Sequence, residues 1–287
     1  MLRTAVSFLL GLIAVVLILA GISATAVQRT VVDTNGFVAL TSPLSADTGL
    51  HDRLATTVAG QARSRIALPE GLKDAAAGLV DRSAQALTTD PGFPGAWDRT
   101  MQRSHDLSLA TMTDPAKPDA LQADIQPLVK LLADKAAGSL SLPAGGSLVP
   151  DDAVVVDLGA SQQAGLAGTV VRASGNATAA LVGAAVAAVL ALLVAHRRTT
   201  TVGWLGVGVL LGTGLLVAAG VLVRSAVAGD ANAPGLADYL RYRLVDLAGG
   251  AAVPWVVGLA VWGAVLLAAG LVGRLVAGRS RPGSAQR

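Results

Sequence analysis

The sequence predicts a mainly α fold, with four transmembrane helices and an extracytoplasmic, mostly helical domain that contains at most one small β element. Charged residues make up only 14% of the 287 residues, whereas an average soluble domain has about 25%. The charges are also unevenly distributed. Four stretches contain none of them: 4–28, 173–196, 199–223 and 247–273. Each is longer than the ~20 apolar residues that a helix needs to cross a bilayer, which excludes a single soluble globule.

The four stretches divide the chain into membrane and aqueous segments. The predicted order is an N-terminal signal-anchor helix at 1–28, an extracytoplasmic domain at 29–172, helices at 173–196 and 199–223, an extracytoplasmic loop with an interfacial helix at 224–246, a fourth helix at 247–273 and a basic cytoplasmic tail at 274–287. Backbone groups find no water to bond in lipid, so the spans are predicted to be helical.

The flanking charges predict the orientation. If the N-terminus is cytoplasmic, the inside segments carry seven basic residues and no acidic one, and the outside segments carry 15 basic and 19 acidic residues. This asymmetry follows the positive-inside rule. It predicts a multi-pass plasma-membrane protein in the lipid bilayer, with both termini cytoplasmic and residues 29–172 outside. The pI of 9.7 then reflects topology. No nucleic-acid partner is predicted, because no basic patch with interleaved aromatics is present.

The first span admits two fates. Ala24-Thr25-Ala26 is an A-x-A pattern that signal peptidase could cleave after Ala26. The apolar run at 6–22 is longer than the usual signal-peptide core, which favours an uncleaved signal anchor. Either fate exports the segment that follows.

The first half of the extracytoplasmic domain is predicted to be helical after a short lead-in. Residues 31–40, around Asn35-Gly36, predict an extended or turning segment. An amphipathic helix over 45–66 with Asp47 as its N-cap is predicted by apolar residues at every fourth position: Leu50, Leu54, Val58 and Ala62. A second helix is predicted over 70–87, with Leu72, Ala76, Leu79, Val80 and Leu87 buried.

The second half contains the most distinctive pattern. Asp90-Pro91 predicts a helix start, and the helix then carries one stripe of Phe93, Trp97, Met101 and His105. A helix is predicted over 120–138, with Pro127 able to delay its start until after Gln126. The β-branched run at 153–158 predicts a strand, and 162–172 predicts a helix leading into the second span.

The loop at 224–246 has one apolar face. Leu236, Tyr239, Leu240, Leu244 and Leu247 form it, with Arg241, Arg243 and Asp246 nearby. This pattern favours two structures equally: a helix lying in the membrane interface, or a segment that caps the extracytoplasmic domain.

No residue pattern predicts catalysis, a metal site or a cofactor, so the protein is not expected to be an enzyme. There is no cysteine, and the three histidines are far apart in sequence. A meeting of His51-Asp52 with His105-Asp106 could form a metal or acid–base site, but surface or core-edge positions are favoured. The candidate interaction residues are Trp97, His105, Asp106, Tyr239 and Arg241.

The spans themselves contain no Asp, Glu, Lys or Arg, which disfavours a proton-coupled transporter or an ion channel. Small residues are abundant instead, at Ala180, Ala184 and Ala188 and in the GxxxG pair Gly208 and Gly212. These faces allow close helix approach, with packing inside the chain expected before oligomerisation. Trp262, in mid-span, is expected to pack between helices.

The layout resembles a group of uncharacterised integral membrane proteins of actinobacteria with one N-terminal span, an exported helical domain and three C-terminal spans. The resembling pieces are Asp33-Thr34-Asn35-Gly36-Phe37-Val38 with Pro43-Leu44, the helix bearing Phe93, Trp97 and His105, and the turn His196-Arg197-Arg198. The resemblance implies a plasma-membrane location in a cell with an elaborate envelope, and it implies no activity.

The leading hypothesis is that the exported domain is a binding or scaffold module for an envelope protein or a wall component. The alternative is an accessory or core component in the transport of an apolar or lipid-like cargo between the spans. An enzyme acting on envelope polymers is a third hypothesis, and it would require His105 to meet carboxylates such as Asp106 or Asp157 in a cleft.

Overall fold

The computed structural model describes residues 2–65, 78, 82, 84–113, 121–139, 152–159, 161–195, 198–227 and 235–279. The chain packs as two compact units. We call Met1–Gln28, Val171–Ala226 and Gly249–Arg287 the span unit. We call Arg29–Val170 and Val227–Ala248 the polar unit.

The mainly α prediction is confirmed. The α-helices are, in chain order, α1 Leu2–Val27, α2 Thr34–Thr41, α3 Thr48–Arg65, α4 Phe93–Thr113, α5 Gln126–Ser139, α6 Ser161–Ser174, α7 Ala177–Val194, α8 Arg198–Val227 and α9 Leu236–Arg279. Two strands, β1 Leu121–Asp124 and β2 Val155–Gly159, form the sheet. A π-helix at Gln28–Val32 and 3-10 helices at Ser42–Ala46 and Leu87–Thr89 complete the described elements.

Among the described residues, four helices are long and apolar enough to cross a membrane, as predicted: Ala5–Val32, Ala177–Val194, Thr200–Ala226 and Leu236–Val276. Within the span unit, α1 and α7 are antiparallel, because Ser7 Oγ donates to the Ala191 carbonyl (3.0 Å) near one end and Gly21 lies against Leu181 near the other. α8 runs parallel to α1 and antiparallel to α9. The helices thus alternate in direction along the chain.

Glycines set the closest helix approaches in the span unit. A methyl group on Gly208 would lie 3.0 Å from Val15, and one on Gly212 would collide with Leu19. The predicted GxxxG pair therefore packs inside the chain, against α1. A second glycine face was missed: a methyl group on Gly206 would lie only 2.7 Å from the Gly263 carbonyl of α9. Trp262 was wrongly expected between helices. It is 67% exposed, because the adjacent Gly263 takes the inward position.

The polar unit is built around large apolar side chains. The largest with less than 2% exposure are Trp97, Phe93, Leu44, Leu50, Leu54, Leu87, Leu128, Leu132, Val58, Val129 and Val154. The predicted helix over 45–66 is confirmed as α3, with Leu50, Leu54 and Val58 inward. The side chain of Ala62 lies outside the described part.

The sheet corrects one prediction and confirms another. The predicted strand at 153–158 is present as β2, and it pairs antiparallel with β1, from Gln122↔Asp157 to Asp124↔Val155. The helix predicted over 120–138 therefore does not include 121–124, and it begins at Gln126, close to the later start that Pro127 was predicted to impose. Pro127 lies in the first turn of α5, where a proline costs no helical hydrogen bond. Residues 121–124 pair with β2 instead.

The segment 31–40, predicted to be extended or turning, is helical on both sides of a bend at Asp33. Asp33 caps α2 by accepting a hydrogen bond from the Gly36 amide at 2.8 Å. A side chain at Gly36 would collide with the Arg29 carbonyl of the preceding π-helix. The Asp33 cap and the small Gly36 together allow the chain to turn directly into a helix here.

Two further helix predictions are refined. Asp90 does not cap α4 directly. It accepts from the Gly92 amide (2.8 Å) in a turn, and the helix begins at Phe93. In the helix predicted over 70–87, Leu72, Ala76, Leu79 and Val80 lie outside the described residues, and Leu87 is buried in a 3-10 helix. The predicted helix at 162–172 is confirmed as α6.

The first part of α9 packs on the polar core. Leu240 is 5% exposed, and Leu236, Tyr239, Leu244 and Leu247 lie against the core cluster that contains Leu54 and Trp97. Of the two structures that the sequence favoured equally, the capping segment is the one observed.

Candidate functional site

Helix α4 presents two opposite faces. The predicted stripe of Phe93, Trp97, Met101 and His105 is buried throughout, at 6% exposure or less. Trp97 is a structural residue, since its indole Nε1 donates to the Thr41 carbonyl at 3.0 Å. A buried Trp N–H needs such an acceptor, and this bond holds α4 to the end of α2.

His105 is a core histidine. Its Nε2 is 2.7 Å from the Val31 carbonyl and donates to it, and Nδ1 lies 3.3 Å from the Thr34 hydroxyl oxygen. The ring stacks on Phe37, with centroids 4.6 Å apart. Asp106 is exposed and accepts from Thr34 at 3.2 Å. With both ring nitrogens engaged and the ring buried, His105 positions α2 against α4.

The two His-Asp pairs are held by different partners. His51 Nε2 is 2.9 Å from the Ser45 carbonyl, and its ring meets the edge of Phe93 at 5.6 Å. Among the described residues, no group of three His, Cys, Asp or Glu side chains is arranged to hold a metal ion. The side chain of Asp157 lies outside the described part.

Asp47 joins α3 to the first part of α9. Its Oδ1 accepts from the Leu50 amide (3.0 Å), which confirms the predicted N-cap, and from the Tyr239 hydroxyl (2.9 Å). Its Oδ2 pairs with Arg243 Nε at 2.7 Å. Burial alone would raise the pKa of Asp47. The hydrogen bonds from Tyr239 and Leu50 and the charge of Arg243 outweigh burial and hold the pKa below its ordinary value.

The ring of Tyr239 is held as closely as its hydroxyl. The Arg53 guanidinium lies 4.3 Å from the ring centroid, within the range of a cation–π contact. A methyl group on Gly49 would collide with the Tyr239 hydroxyl, so the absence of a side chain there permits the contact. Arg241, the remaining interaction candidate, pairs with Asp238 one turn away at 2.7 Å.

The exposed face of α4 lies between two polar grooves. The larger, of about 540 Å³, lies between α4 and α5 and includes Lys130 and Asp134. The smaller, of about 300 Å³, lies between α4 and α2 and includes Asn35 and Asp98. Arg99 and Gln102 line both grooves and are exposed. Asp106, at the position one turn further, also lines the larger groove.

A buried carboxylate, Asp124, holds two residues that line the larger groove, Arg103 and Gln126. Asp124 is 3% exposed, and its Oδ1 accepts from the backbone amides of Gln126 and Val154. Its Oδ2 pairs with Arg103 Nε at 2.8 Å, while Arg103 also donates to the Gln126 side chain. This network ties α4, β1, α5 and the residue before β2 together, so the groove is preformed.

The smaller groove contains an unsatisfied acceptor. The Oδ1 atom of Asp98 is buried and has no hydrogen-bond partner among the described residues. A buried carboxylate oxygen without a donor is energetically unfavourable.

Comparisons with known proteins give no relative from which a role could be transferred: no family model, curated protein or solved structure matches the chain. The candidate site is therefore argued from the structure itself, in which the outer face of α4 is the strongest candidate within the polar unit. The sequence interpretation named only Asp106 from this face. The signal for the rest was the polar spacing of Arg99, Gln102 and Asp106 on the helix side opposite Trp97.

Proposed function

We propose that the protein is a multi-pass plasma-membrane protein whose exported polar unit binds a protein partner of the cell envelope through the outer face of α4. The observation that carries the proposal is the pair of polar grooves that share Arg99 and Gln102. The four apolar helices supply the membrane anchor.

The alternating helix directions support the orientation. They bring the start of α1, the start of α8 and the end of α9 to one end of the span unit. These helix ends carry Arg3, Arg198, Arg274 and Arg279. Under the positive-inside rule this end is cytoplasmic. The segments that follow α1 and α8 along the chain, 29–170 and 227–248, are then exported.

The character of the α4 face supports binding. Arginine is enriched in protein interfaces because its planar guanidinium makes several hydrogen bonds at once. Arg99 is exposed on this face. A carboxylate of the partner would pair with its guanidinium.

The groove linings favour a protein over a wall glycan. Sugar rings are commonly held by stacking of their C–H faces on aromatic side chains, and neither groove is lined by an aromatic residue. The grooves are lined instead by acidic, basic and amide side chains. These groups suit the mixed hydrogen-bond donors and acceptors of a polypeptide. A wall component is the second envelope ligand to be distinguished by experiment.

The transport hypothesis receives less support. The glycine contacts of α1, α8 and α9 bring helix backbones and side chains into direct contact, and such packing does not favour a route for cargo between them. An enzymatic role has no support at His105, since both ring nitrogens are occupied.

Site-specific photocrosslinking in intact cells tests the proposed binding. A photoreactive amino acid at Gln102 is expected to capture one protein partner, whereas the same group at Thr48, an exposed position outside both grooves, should not. Arg99→Glu, added to the protein that carries the photoreactive amino acid at position 102, should weaken capture by about tenfold or more, as expected of an arginine that contributes strongly to binding. Lys130→Glu makes the same change of charge at a residue that lines only the larger groove. It should weaken capture less than Arg99→Glu, because Arg99 lines both grooves.

Three results would count against the proposal. Equal capture at Gln102 and Thr48 would remove the α4 face as the site. Capture that does not respond to Arg99→Glu would mean that the crosslink reports proximity only. A crosslinked product whose added mass is removed by wall hydrolases would identify a glycan in place of a protein.

A further inference from the structure

The span unit has a lateral apolar groove between α1 and α8, with a volume of about 330 Å³. Gly11 and Gly208 are among its lining residues, and Phe8 and Trp204, which are 64% and 61% exposed, are the lining aromatics. The groove is separate from the proposed partner surface on α4.

The groove spans about one leaflet in depth. Its lining runs from Ser7 to Val15 on α1 and from Thr200 to Leu211 on α8, which corresponds to about 12 Å and about 16 Å along the helix axes. One half of a ~30 Å hydrocarbon core is about 15 Å. Gly11 lies beside Leu205 and Gly208 beside Val15, so the two helices run side by side along this whole length.

One end of the groove is polar and lies next to basic positions. Thr200 and Thr201 line that end, together with Ser7. Arg3 lies one helical turn before Ser7 in α1, and Arg198 is the first residue of α8, two positions before Thr200. Neither helix contains an acidic residue. Positive charge at a membrane surface attracts anionic lipid headgroups.

We propose that this groove binds an anionic phospholipid, with one acyl chain lying in the groove along the outer side of α1 and α8 and the phosphate group at the Arg3 and Arg198 end. The apolar length accepts the chain, Thr200 and Thr201 line the end where the ester region falls, and the basic positions select the headgroup charge.

Native mass spectrometry of the delipidated full-length protein in mild detergent tests this proposal. Phosphatidylglycerol and phosphatidylcholine with the same acyl chains serve as probes. Phosphatidylglycerol is expected to bind roughly thirtyfold more tightly, which is the scale of two surface arginines. Arg3→Gln with Arg198→Gln should remove this preference, whereas Arg224→Gln, near the other end of α8, should retain it.

A second pair of variants tests the apolar part. Gly11→Leu fills the groove and should remove one bound lipid, whereas Gly214→Leu, where an added side chain meets open space, should not. The proposal is overturned if Gly11→Leu binds as much lipid as Gly214→Leu, or if the two headgroups bind equally to the wild-type protein. Each variant is first checked for monodisperse elution, and the charge variants keep the test valid if Gly11→Leu fails to fold.

Discussion

The polar unit and the span unit differ in the size of the side chains that they bury. In the polar unit the most deeply buried side chains are large, with Trp97 and Phe93 at 1% and 0% exposure. In the span unit the cluster that contains Ala14, Ala187 and Val15 is built from smaller residues, and the two most exposed tryptophans, Trp204 and Trp262, point outward.

The difference follows from the solvent that each unit is suited to. In water, removing large apolar surface from solvent is the main driving force for folding. In lipid, a leucine or tryptophan gains little by leaving the apolar surroundings, so helices associate where small residues let backbones come close. Of the five predictions below, the first two test this contrast between the two units, and the other three test polar contacts within the polar unit. They run from the largest expected effect to the smallest.

Trp97→Ala should have the largest effect. It leaves a cavity in the polar core and removes the hydrogen bond to Thr41, with an expected loss of about 3–5 kcal/mol in the free energy of unfolding. Urea unfolding of the full chain in detergent, with the unfolded fraction read from its susceptibility to protease, measures this free energy. Trp262→Ala makes the same chemical change at an exposed span position and should leave the polar unit unchanged. Similar losses in both variants would contradict the contrast.

Gly206→Ala should destabilise the span unit by about 1–3 kcal/mol, the usual effect of overpacking. The added methyl group would lie 2.7 Å from the Gly263 carbonyl, and a backbone atom cannot move aside as a side chain can. Thermal unfolding in detergent, monitored by size-exclusion chromatography, provides the measurement. Gly214→Ala, in open space on the same helix, is the control, and equal midpoints would show that α8 and α9 are not in close contact.

Acidification should loosen the first part of α9 from α3. The pKa of Asp47 is lowered in the folded protein, so its stabilisation is complete above the ordinary value of 3.8 and is lost as the pH falls through the lower folded value. The expected loss is about 1–2 kcal/mol. Urea midpoints from about pH 6 to about pH 3 should fall more steeply for the wild type than for Asp47→Asn. Parallel slopes would assign the pH dependence to other carboxylates.

Tyr239→Phe removes one hydrogen bond from the same junction and keeps the ring under Arg53. We expect a loss of about 1 kcal/mol, seen as faster amide exchange in 236–248. Tyr242→Phe is the matched control on the same segment. If the control accelerates exchange as much, the bond from Tyr239 to Asp47 is not the cause.

Lys135→Met should have the smallest effect. Lys135 pairs with Asp90 at 3.1 Å, and this carboxylate is also held by the Gly92 amide, which together with Lys135 lowers its pKa. Water screens an ion pair at the surface, so the urea midpoint should fall less than in Tyr239→Phe. Lys130→Met is the control, and a larger fall in Lys135→Met than in Tyr239→Phe would revise this ranking.

The predictions from sequence succeeded where one periodic pattern was long. The stripe from Phe93 to His105 and the apolar repeat from Leu50 to Val58 identified α4, α3 and their buried faces. The runs without charge identified the four candidate spans. Burial in these helices repeats at the helical period, and that period is visible in the residues themselves.

The misses fall where a local pattern depends on a distant partner. Residues 121–124 form a strand because β2, more than 30 positions later, pairs with them. The polar spacing of Arg99 and Gln102 marked an outward face of α4, but the grooves on either side of that face exist only because α2 and α5 pack beside it. Gly206 was missed for the same reason, since its importance depends on Gly263.

The sequence alone determined the amount of apolar surface and its period, and therefore the spans, the main helices and the uneven charge. Those properties are local, because transfer to lipid and helical burial act on each segment separately. The tertiary structure decided which of two equally favoured structures the segment from Leu236 to Leu247 adopts, placing it on the core that contains Trp97. It also decided which glycines are in contact. Both outcomes depend on contacts between residues far apart in the chain, and only the folded structure brings these residues together.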